Sequence, residues 1–389
     1  MTPAARVAAA AGLLDRILAG EPAEQVLTGW GRRSRFAGSG DRAAVRDLVF
    51  DALRRRRSAA WAGGGETGRA LLLGLARLDG TDPATIFTGG RHALAPLSAD
   101  EGGRALAEAP RAVRLDLPDW LLPLWDAALG PDADRAAEVQ RHRAPVTLRV
   151  DLSRLTREEA ARRLAAEGVD TIPDPRVPTA LRALGRAPRI TATAPYRDGL
   201  VELQDASSQE AVLRLPLRDG DRVLDLCAGG GGKTLAMGAR ARLELVAHDI
   251  DPRRMADLPA RAERAGLAVR RVRDPASGAP FDLVLVDAPC TGSGTWRRNP
   301  DARWRLTRAD LDRLTAVQDS LLGQAARLVR PGGALAFATC SVLEEEGDAR
   351  IRPLLAGGCW TLADRFRVVP DADRDGFYQA VLRHRGHAS

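Results

Sequence analysis

Apolar and polar positions follow three successive rhythms along the chain. Over the first 140 residues the period is helical: Val7, Ala10, Ala11, Leu14, Ile17 and Leu18 share one face. Val45, Leu48, Val49, Ala52 and Leu53 repeat at i, i+3, i+4, i+7 and i+8, with Asp41 placed as the N-cap before them. Further helical patterns over 67–78, 118–129 and 132–142 are separated by Gly, Pro and Asp, and no β-type alternation interrupts them. Pro145 changes the rhythm. VTLRVDL (146–152) alternates like a strand, and 156–168 reads as a helix capped by Thr156 with Glu159 three residues on. Short strands then continue to LVELQDASSQ (200–209). From about 219 strands alternate with helices: strand 222–227, glycine loop and helix; strand 243–249, helix 252–265; strand 281–287, long loop, helix 308–329; strand 333–339, helix 344–355; and a final strand at 376–384. That order predicts an α/β chain whose C-terminal part is a mostly parallel, doubly wound sheet. The expected domains are 1–140, all-α; 141–215, a small α+β module; and 216–389, Rossmann-like.

Length and composition fit this division. The chain has 389 residues, 45% of them hydrophobic and 28% charged, which suits a globular protein of two or three domains and not a disordered one. The net charge of +7 favours a polyanionic partner. Lys and Arg total 58, yet Lys233 is the sole lysine, and Asn299 is the sole asparagine. Codon bias explains most of that skew, but not why the one lysine sits in a glycine loop. The run Arg54–Arg57, near Arg32, Arg33 and Arg35, reads either as a solvated helix end or as an RNA-facing patch. Cys227, Cys290, Cys340 and Cys359 are widely spaced, so neither a zinc site nor a disulfide framework is expected. The first twenty residues carry Arg6, Asp15 and Arg16 and form an amphipathic helix, not a signal peptide. With no uncharged apolar run of about 18 residues, the expectation is a cytoplasmic chain with no membrane span.

Two loops carry candidate chemistry. The first is Cys227-Ala228-Gly229-Gly230-Gly231-Gly232-Lys233-Thr234, where glycine lets the backbone approach a ligand at the start of a helix. A phosphate-binding P-loop would require glycine where Cys227 stands, so that motif fails. Asp249 ends the next strand, where a carboxylate can read a ribose diol. Together they indicate an adenosine-containing ligand without choosing NAD or S-adenosylmethionine. The second loop runs from Asp287 through Cys290 to Arg297, Arg298 and Asp301, and the next strand ends Ala338-Thr339-Cys340-Ser341. The carboxyl ends of adjacent strands line one crevice, so two thiols, a carboxylate and two arginines converge there. Two thiols beside such a cofactor suit methylation of cytosine C5. A thiolate adds to C6 and makes C5 an enamine carbon, able to take a methyl group from a sulfonium donor; loss of the C5 proton then expels the thiol. A carboxyl near N3 assists as charge builds on the ring. The base must be single-stranded or leave its stack.

Across almost the whole chain the sequence resembles the Sun/RsmB family of RNA cytosine-C5 methyltransferases. LDLCAGGGGKT resembles the family's S-adenosylmethionine loop, usually CAAPGGKT; VDAPCTGSGTWRRNPDARW and ATCSVLEEE resemble its two cysteine motifs. QDASSQ, RAPVTLRVDL and DGFYQAVL also match its pattern, and RFAGSGDRAAVRDLVFDALRRRR resembles the NusB-like RNA-binding domain of the RsmB branch. The resemblance implies a class I, Rossmann-like methyltransferase domain at 216–389. It implies a small RNA-binding or linker module at 141–215 and an N-terminal NusB-like domain. It further implies Cys340 as nucleophile, Cys290 as the thiol assisting product release, and Asp287 facing both cytosine and cofactor. Cys227, Ala228, Gly229, Gly230, Gly231, Gly232, Lys233, Asp249, Asp274 and Asp287 are the implied cofactor contacts. The implied partner is RNA, small-subunit ribosomal RNA first, with transfer or large-subunit RNA as alternatives; a monomer without metal is expected.

The sequence departs from the family pattern in two places. Gly229-Gly230 replace Ala-Pro, which loosens the loop, and Asp151 stands where Asn is frequent. DNA cytosine-C5 methyltransferases also use a Pro-Cys loop but need a Glu-Asn-Val element, which a chain with only Asn299 lacks. A non-catalytic RNA-binding or assembly factor on the same fold is the remaining alternative, and the retained thiols, Lys233, Asp249 and Asp287 argue against it.

Overall fold

The computed structural model describes residues 1–185 and 189–386, which include every candidate site residue. The chain forms two units: Met1–Arg143 together with Trp296–Leu306, and Ala144–Thr295 together with Thr307–Ser389.

The first unit is helical. Helices α1 (Pro3–Leu18), α2 (Ala23–Arg33), α3 (Ser39–Arg54), α4 (Arg56–Gly63) and α5 (Gly68–Leu78) precede three shorter ones, α6 (Arg111–Arg114), α7 (Leu122–Leu129) and α8 (Ala133–Val139). Their apolar faces meet in a core that includes Leu14, Val45, Val49, Leu53 and Leu71. The N-cap of α3 is Gly38, not Asp41. Asp41 lies one turn in, where its carboxylate accepts from the Gly38 amide, the chain's amino terminus and Arg6.

The arginine run is neither a solvated end nor a free basic patch. Arg54 is buried and donates to the Arg297 carbonyl and to Asp51. Arg55 pairs with Asp79, Arg57 with Asp119, and the Arg56 guanidinium lies 5.6 Å from the Trp304 ring centre. Arg32, Arg33 and Arg35 remain exposed beside Phe36, which is 75% exposed.

Trp296–Leu306 completes this unit. Trp296 stacks on Trp125 with ring centres 5.9 Å apart, and Trp304 Nε1 donates to the Leu53 carbonyl at 2.6 Å. Arg303 is fully buried, donates to the Arg54 carbonyl at 2.6 Å, and helps to balance the charge of buried Asp116. Burial pushes the Asp116 carboxyl up, while Arg303, Arg141 and hydrogen bonds from Ser58 pull the other way.

The second unit contains two sheets. Strands β1 (Thr147–Val150), β2 (Thr171–Pro173), β3 (Ala180–Ala183) and β4 (Val201–Leu203) form an antiparallel sheet of order β2-β3-β1-β4. Helices α9 (Arg157–Ala166), α10 (Ala194–Arg197) and α11 (Ala206–Leu213) accompany it. Thr156 caps α9 as expected, its hydroxyl accepting from the Glu159 amide. The larger sheet has seven strands in the order β10-β11-β9-β8-β5-β6-β7. In chain order the elements are β5 (Arg222–Asp225), α12 (Gly232–Gly238), β6 (Glu244–Ala247), α13 (Leu258–Arg264), β7 (Val269–Arg271), β8 (Phe281–Asp287), α14 (Pro300–Arg305, part of the first unit), α15 (Arg308–Leu328), β9 (Val329–Thr339), α16 (Asp348–Ala356), β10 (Trp360–Val368) and β11 (Phe377–His384).

Strands β5 to β9 pair in parallel, and β11 runs antiparallel between β9 and β10. The sheet is therefore mostly parallel and doubly wound, as the pattern predicts. Strand β10 has no clear signal because it is an edge strand with Leu362, Ala363, Arg365 and Arg367 exposed. Among the described residues no helix is long and apolar enough to cross a membrane.

Asp116 accepts hydrogen bonds from the Arg57 and Ser58 amides and the Ser58 hydroxyl. Asp116→Ala orphans the Arg57 and Ser58 amides and leaves buried Arg303 without its counter-charge. Urea denaturation should show a loss of about 3 kcal/mol or more.

Candidate active site

The glycine loop links β5 to α12, and its shape is fixed by contacts on both sides. Gly231 has φ +82°, and a Cβ there would lie 2.2 Å from Leu258 Cδ1, so only glycine fits. The buried Asp249 carboxylate, just beyond β6, accepts from the Gly229 amide at 3.0 Å and from the Asp251 amide at 3.0 Å. The loop carbonyls are also held. Arg149 on β1 donates to the Gly232 carbonyl at 2.9 Å and to Gln204 at 3.0 Å. Arg261 on α13 donates to the Gly230 carbonyl and, at 2.9 Å, to Glu202. Two guanidiniums thus restrain the stretch that Gly229 and Gly230 would otherwise leave loose. Asp151 turns its carboxylate back to the Ser153 amide and hydroxyl.

Lys233 extends from the first turn of α12 to Asp287 at the end of β8, with Nζ–Oδ2 2.6 Å. Burial opposes the charge on Lys233, yet Asp287, through its charge and hydrogen bond, carries the ammonium above the ordinary lysine value. The Phe377 ring centre lies 5.2 Å from the same Nζ. Beneath the pair is Asp225, wholly buried and bonded by the Thr234 hydroxyl at 2.7 Å. Desolvation pushes the Asp225 carboxyl up to about 6, against the Thr234 hydrogen bond.

The two cysteine motifs meet because β8 and β9 are parallel neighbours in register, Asp287 opposite Ala338. Cys290 Sγ and Cys340 Sγ lie 3.4 Å apart, both half-buried. The hydrogen bond from Cys290 draws the Cys340 thiol below its ordinary value; burial and Asp287 oppose this, while Lys233 and Thr295 support it. Cys290 is held well above its ordinary value by that same bond, by burial, and by the charges of Cys340 and Glu346. The environment thus separates the thiols: the cation is near Cys340 and the second carboxylate is near Cys290. A close backbone crossing fixes the loop's far end. The Gly376 amide donates to the Gly294 carbonyl at 2.9 Å, and a Cβ on Gly294 would sit 2.3 Å from the Gly376 oxygen.

Of the residues singled out in the sequence, Lys233, Asp287, Cys290 and Cys340 form one cluster, and Gly229 joins Asp249 beside it. Burial pushes the Cys227 thiol up to about 12, with Asp225 adding to the effect, so it is an unreactive loop residue. Asp274 follows β7, is exposed, and accepts from the Ala276 amide at 2.9 Å. Sequence reasoning missed Asp225, Arg149, Arg261, Gln318 and Glu346. For Asp225 a signal existed: a carboxylate amid the apolar run VLDLC.

A glycine loop after the first parallel strand, a carboxylate after the second, and paired cysteines after the fourth and fifth define a class I, Rossmann-like methyltransferase domain. The family described as 16S rRNA methyltransferase RsmB/F matches residues 212–358, and the ferredoxin-like domain of RsmF/B-like methyltransferases matches 117–188. The chain belongs to the RsmB/F methyltransferase family. It is 33% identical to the ribosomal RNA small subunit methyltransferase B of Cronobacter sakazakii over 68% of this chain and 66% of that protein's length. A solved methyltransferase homolog from Pyrococcus horikoshii is 25% identical, with TM-score 0.62 over 70% of this chain and 97% of that one. The structure of NSun6 from Pyrococcus horikoshii with SFG shares the fold at 18% identity and TM-score 0.61, over 69% and 98% of the two chains.

Cys340 should alkylate at lower pH than an ordinary thiol, whose value is about 8.5. Lys233→Met removes the cation and should move the midpoint up by about one unit. Mass spectrometry of the Cys340 peptide after iodoacetamide pulses across pH reads both values; unchanged midpoints would contradict the assignment. Arg261→Ala should weaken S-adenosylmethionine binding about tenfold, measured by calorimetry, by freeing the Gly230 carbonyl.

Proposed function

We propose that this chain is an S-adenosylmethionine-dependent methyltransferase that forms 5-methylcytosine in RNA, with small-subunit ribosomal RNA as substrate. The observation that carries this reading is the 3.4 Å approach of two unlike thiols, Cys340 favouring its anion and Cys290 its proton. The name of the Cronobacter sakazakii relative supports the choice of RNA.

The residues present fit the cofactor. Gly231 holds the loop in a positive-φ turn packed on Leu258, Asp249 lies just beyond β6 as a candidate for hydroxyl recognition, and Asp287 ends β8 with its charge balanced by Lys233. Cys227 to Lys233, Asp249, Asp274 and Asp287 form the proposed binding set. When bound, S-adenosylmethionine supplies the electrophilic methyl group that C5 takes up.

The side chains perform the remaining steps. Cys340 thiolate adds to C6 of cytosine, and the ring's π electrons shift towards C5. Asp287 and Lys233 share a proton, and the carboxyl donates it to N3 as negative charge develops there. Once Cys340 is a thioether, the anion that kept the proton on Cys290 is gone, so Cys290 gives that proton to solvent water. The Cys290 thiolate then takes the C5 proton; those electrons rebuild C5=C6, and the C6–S bond breaks to return Cys340 as thiolate. The first unit, NusB-like in this reading, contributes RNA affinity through exposed Arg32, Arg33 and Arg35 beside Phe36. A cytoplasmic monomer needing no metal completes the proposal.

Incubation with tritiated S-adenosylmethionine and unmethylated small-subunit RNA tests it. Wild type should label RNA, and Cys340→Ala should not. Cys290→Ala should accumulate a covalent protein–RNA adduct visible on denaturing gels. Full activity in Cys340→Ala would sink the mechanism.

A further inference from the structure

Neither cysteine loop is held only by its own strand. Glu346, in the short turn after Cys340, is completely buried, and both of its carboxylate oxygens reach the other loop. Oε1 accepts from the Thr291 amide at 2.8 Å, and Oε2 accepts from the Thr291 hydroxyl. Oε1 also accepts from Gln318 Nε2 at 3.1 Å. Gln318, midway along α15 and also fully buried, donates from the same nitrogen to the Pro289 carbonyl at 2.9 Å. The residues on either side of Cys290 are therefore both tied to one buried pair. Across the same junction the Thr339 hydroxyl, next to Cys340, donates to the Glu346 carbonyl at 3.1 Å.

This arrangement is costly to bury unless it does something. A carboxylate removed from water and satisfied only by neutral donors gives up hydration that an apolar residue would not require. Hydrophobic packing could hold two loops together. It could not fix the Pro289 carbonyl and the Thr291 amide at the same time, which is what sets the direction of the side chain between them.

We infer that Glu346 and Gln318 are positioning residues that aim Cys290 at the Cys340–C6 bond and the C5 proton, so that they govern product release and not methyl transfer. The inference rests on the roles proposed above for the two thiols. Glu346 touches neither substrate nor cofactor in this scheme. Its effect passes through the Thr291 peptide to Cys290, whereas Cys340 directly follows β9 and its carbonyl accepts from the Gly294 amide at 2.9 Å, contacts that use neither the Glu346 nor the Gln318 side chain.

Glu346→Gln keeps the shape but replaces one acceptor with a donor facing the Thr291 hydroxyl, and Gln318→Leu removes the grip on Pro289. Each variant should transfer one methyl group in a single turnover at close to the wild-type rate. Each should slow steady-state turnover on the order of 10- to 100-fold and accumulate the covalent RNA adduct, as Cys290→Ala does. A purely structural role would instead lower the thermal midpoint and both rates together, without trapping an adduct. Using two variants guards against one failing to fold. If Cys290→Ala traps RNA while folded Glu346→Gln and Gln318→Leu release product at the wild-type rate, the inference is overturned and the thiol roles stand. If Cys290→Ala traps nothing, the thiol roles fall and the inference falls with them.

Discussion

Parallel pairing of β8 with β9 is the constraint from which the site follows. Residues 290 and 340 are far apart in the chain, and nothing local brings them together. Six register pairs, from Phe281 with Val329 to Asp287 with Ala338, set the two carboxyl ends side by side. The loops leaving those ends then have little choice but to meet. Buried apolar side chains on both faces hold the register, Val284, Val286, Leu335 and Phe337 on one and Leu283, Leu285, Ala334 and Ala336 on the other. A slip of one residue would turn every one of them to the wrong face. The chemistry of the thiols is thus secured by hydrocarbon, and polar contacts refine what packing has already set.

Much of this was legible in the chain, and the exceptions have physical reasons. Strand–helix alternation, the glycine loop and the two cysteine loops each leave a local trace: a period, a composition or a spacing. Edge strand β10 leaves little, because half of it faces water and its charges mask the period. Asp41 was misplaced by one turn, since an acidic residue suits both the cap and the third helical position. Arg54–Arg57 departs furthest from what its sequence suggests. Charge is visible in a sequence but its partner is not, and Asp79, Asp119, the Arg297 carbonyl and the Trp304 ring lie from about 20 to 250 residues away. Glu346 and Gln318 were invisible for the same reason: a buried polar pair has no signature apart from its surroundings.

The skewed basic composition gains a physical meaning from these contacts. Arginine serves here as a structural donor with five fixed N–H groups, gripping carbonyls at Gly230, Gly232, Arg54 and Arg297. An ammonium is a compact charge on a flexible stem and cannot brace a peptide in that way. Beside Asp287, with the Phe377 ring centre 5.2 Å from the ammonium, the chain keeps its lysine.

The excursion of Trp296–Leu306 into the first unit bears on how the protein is made. Helices α1 to α8 leave the ribosome early, yet the Trp125 stack and Arg303, which shares the charge of Asp116 with Arg141, are encoded about 150 residues later. At roughly 5–20 residues per second, that interval is roughly 10 to 30 seconds. During it the nascent helical unit carries an open slot beside the Asp116–Arg141 pair and a tryptophan that lacks its stacking partner. Its final closure waits for translation of the segment just beyond Cys290. The helical unit is therefore begun before the second unit and closed only partway through it.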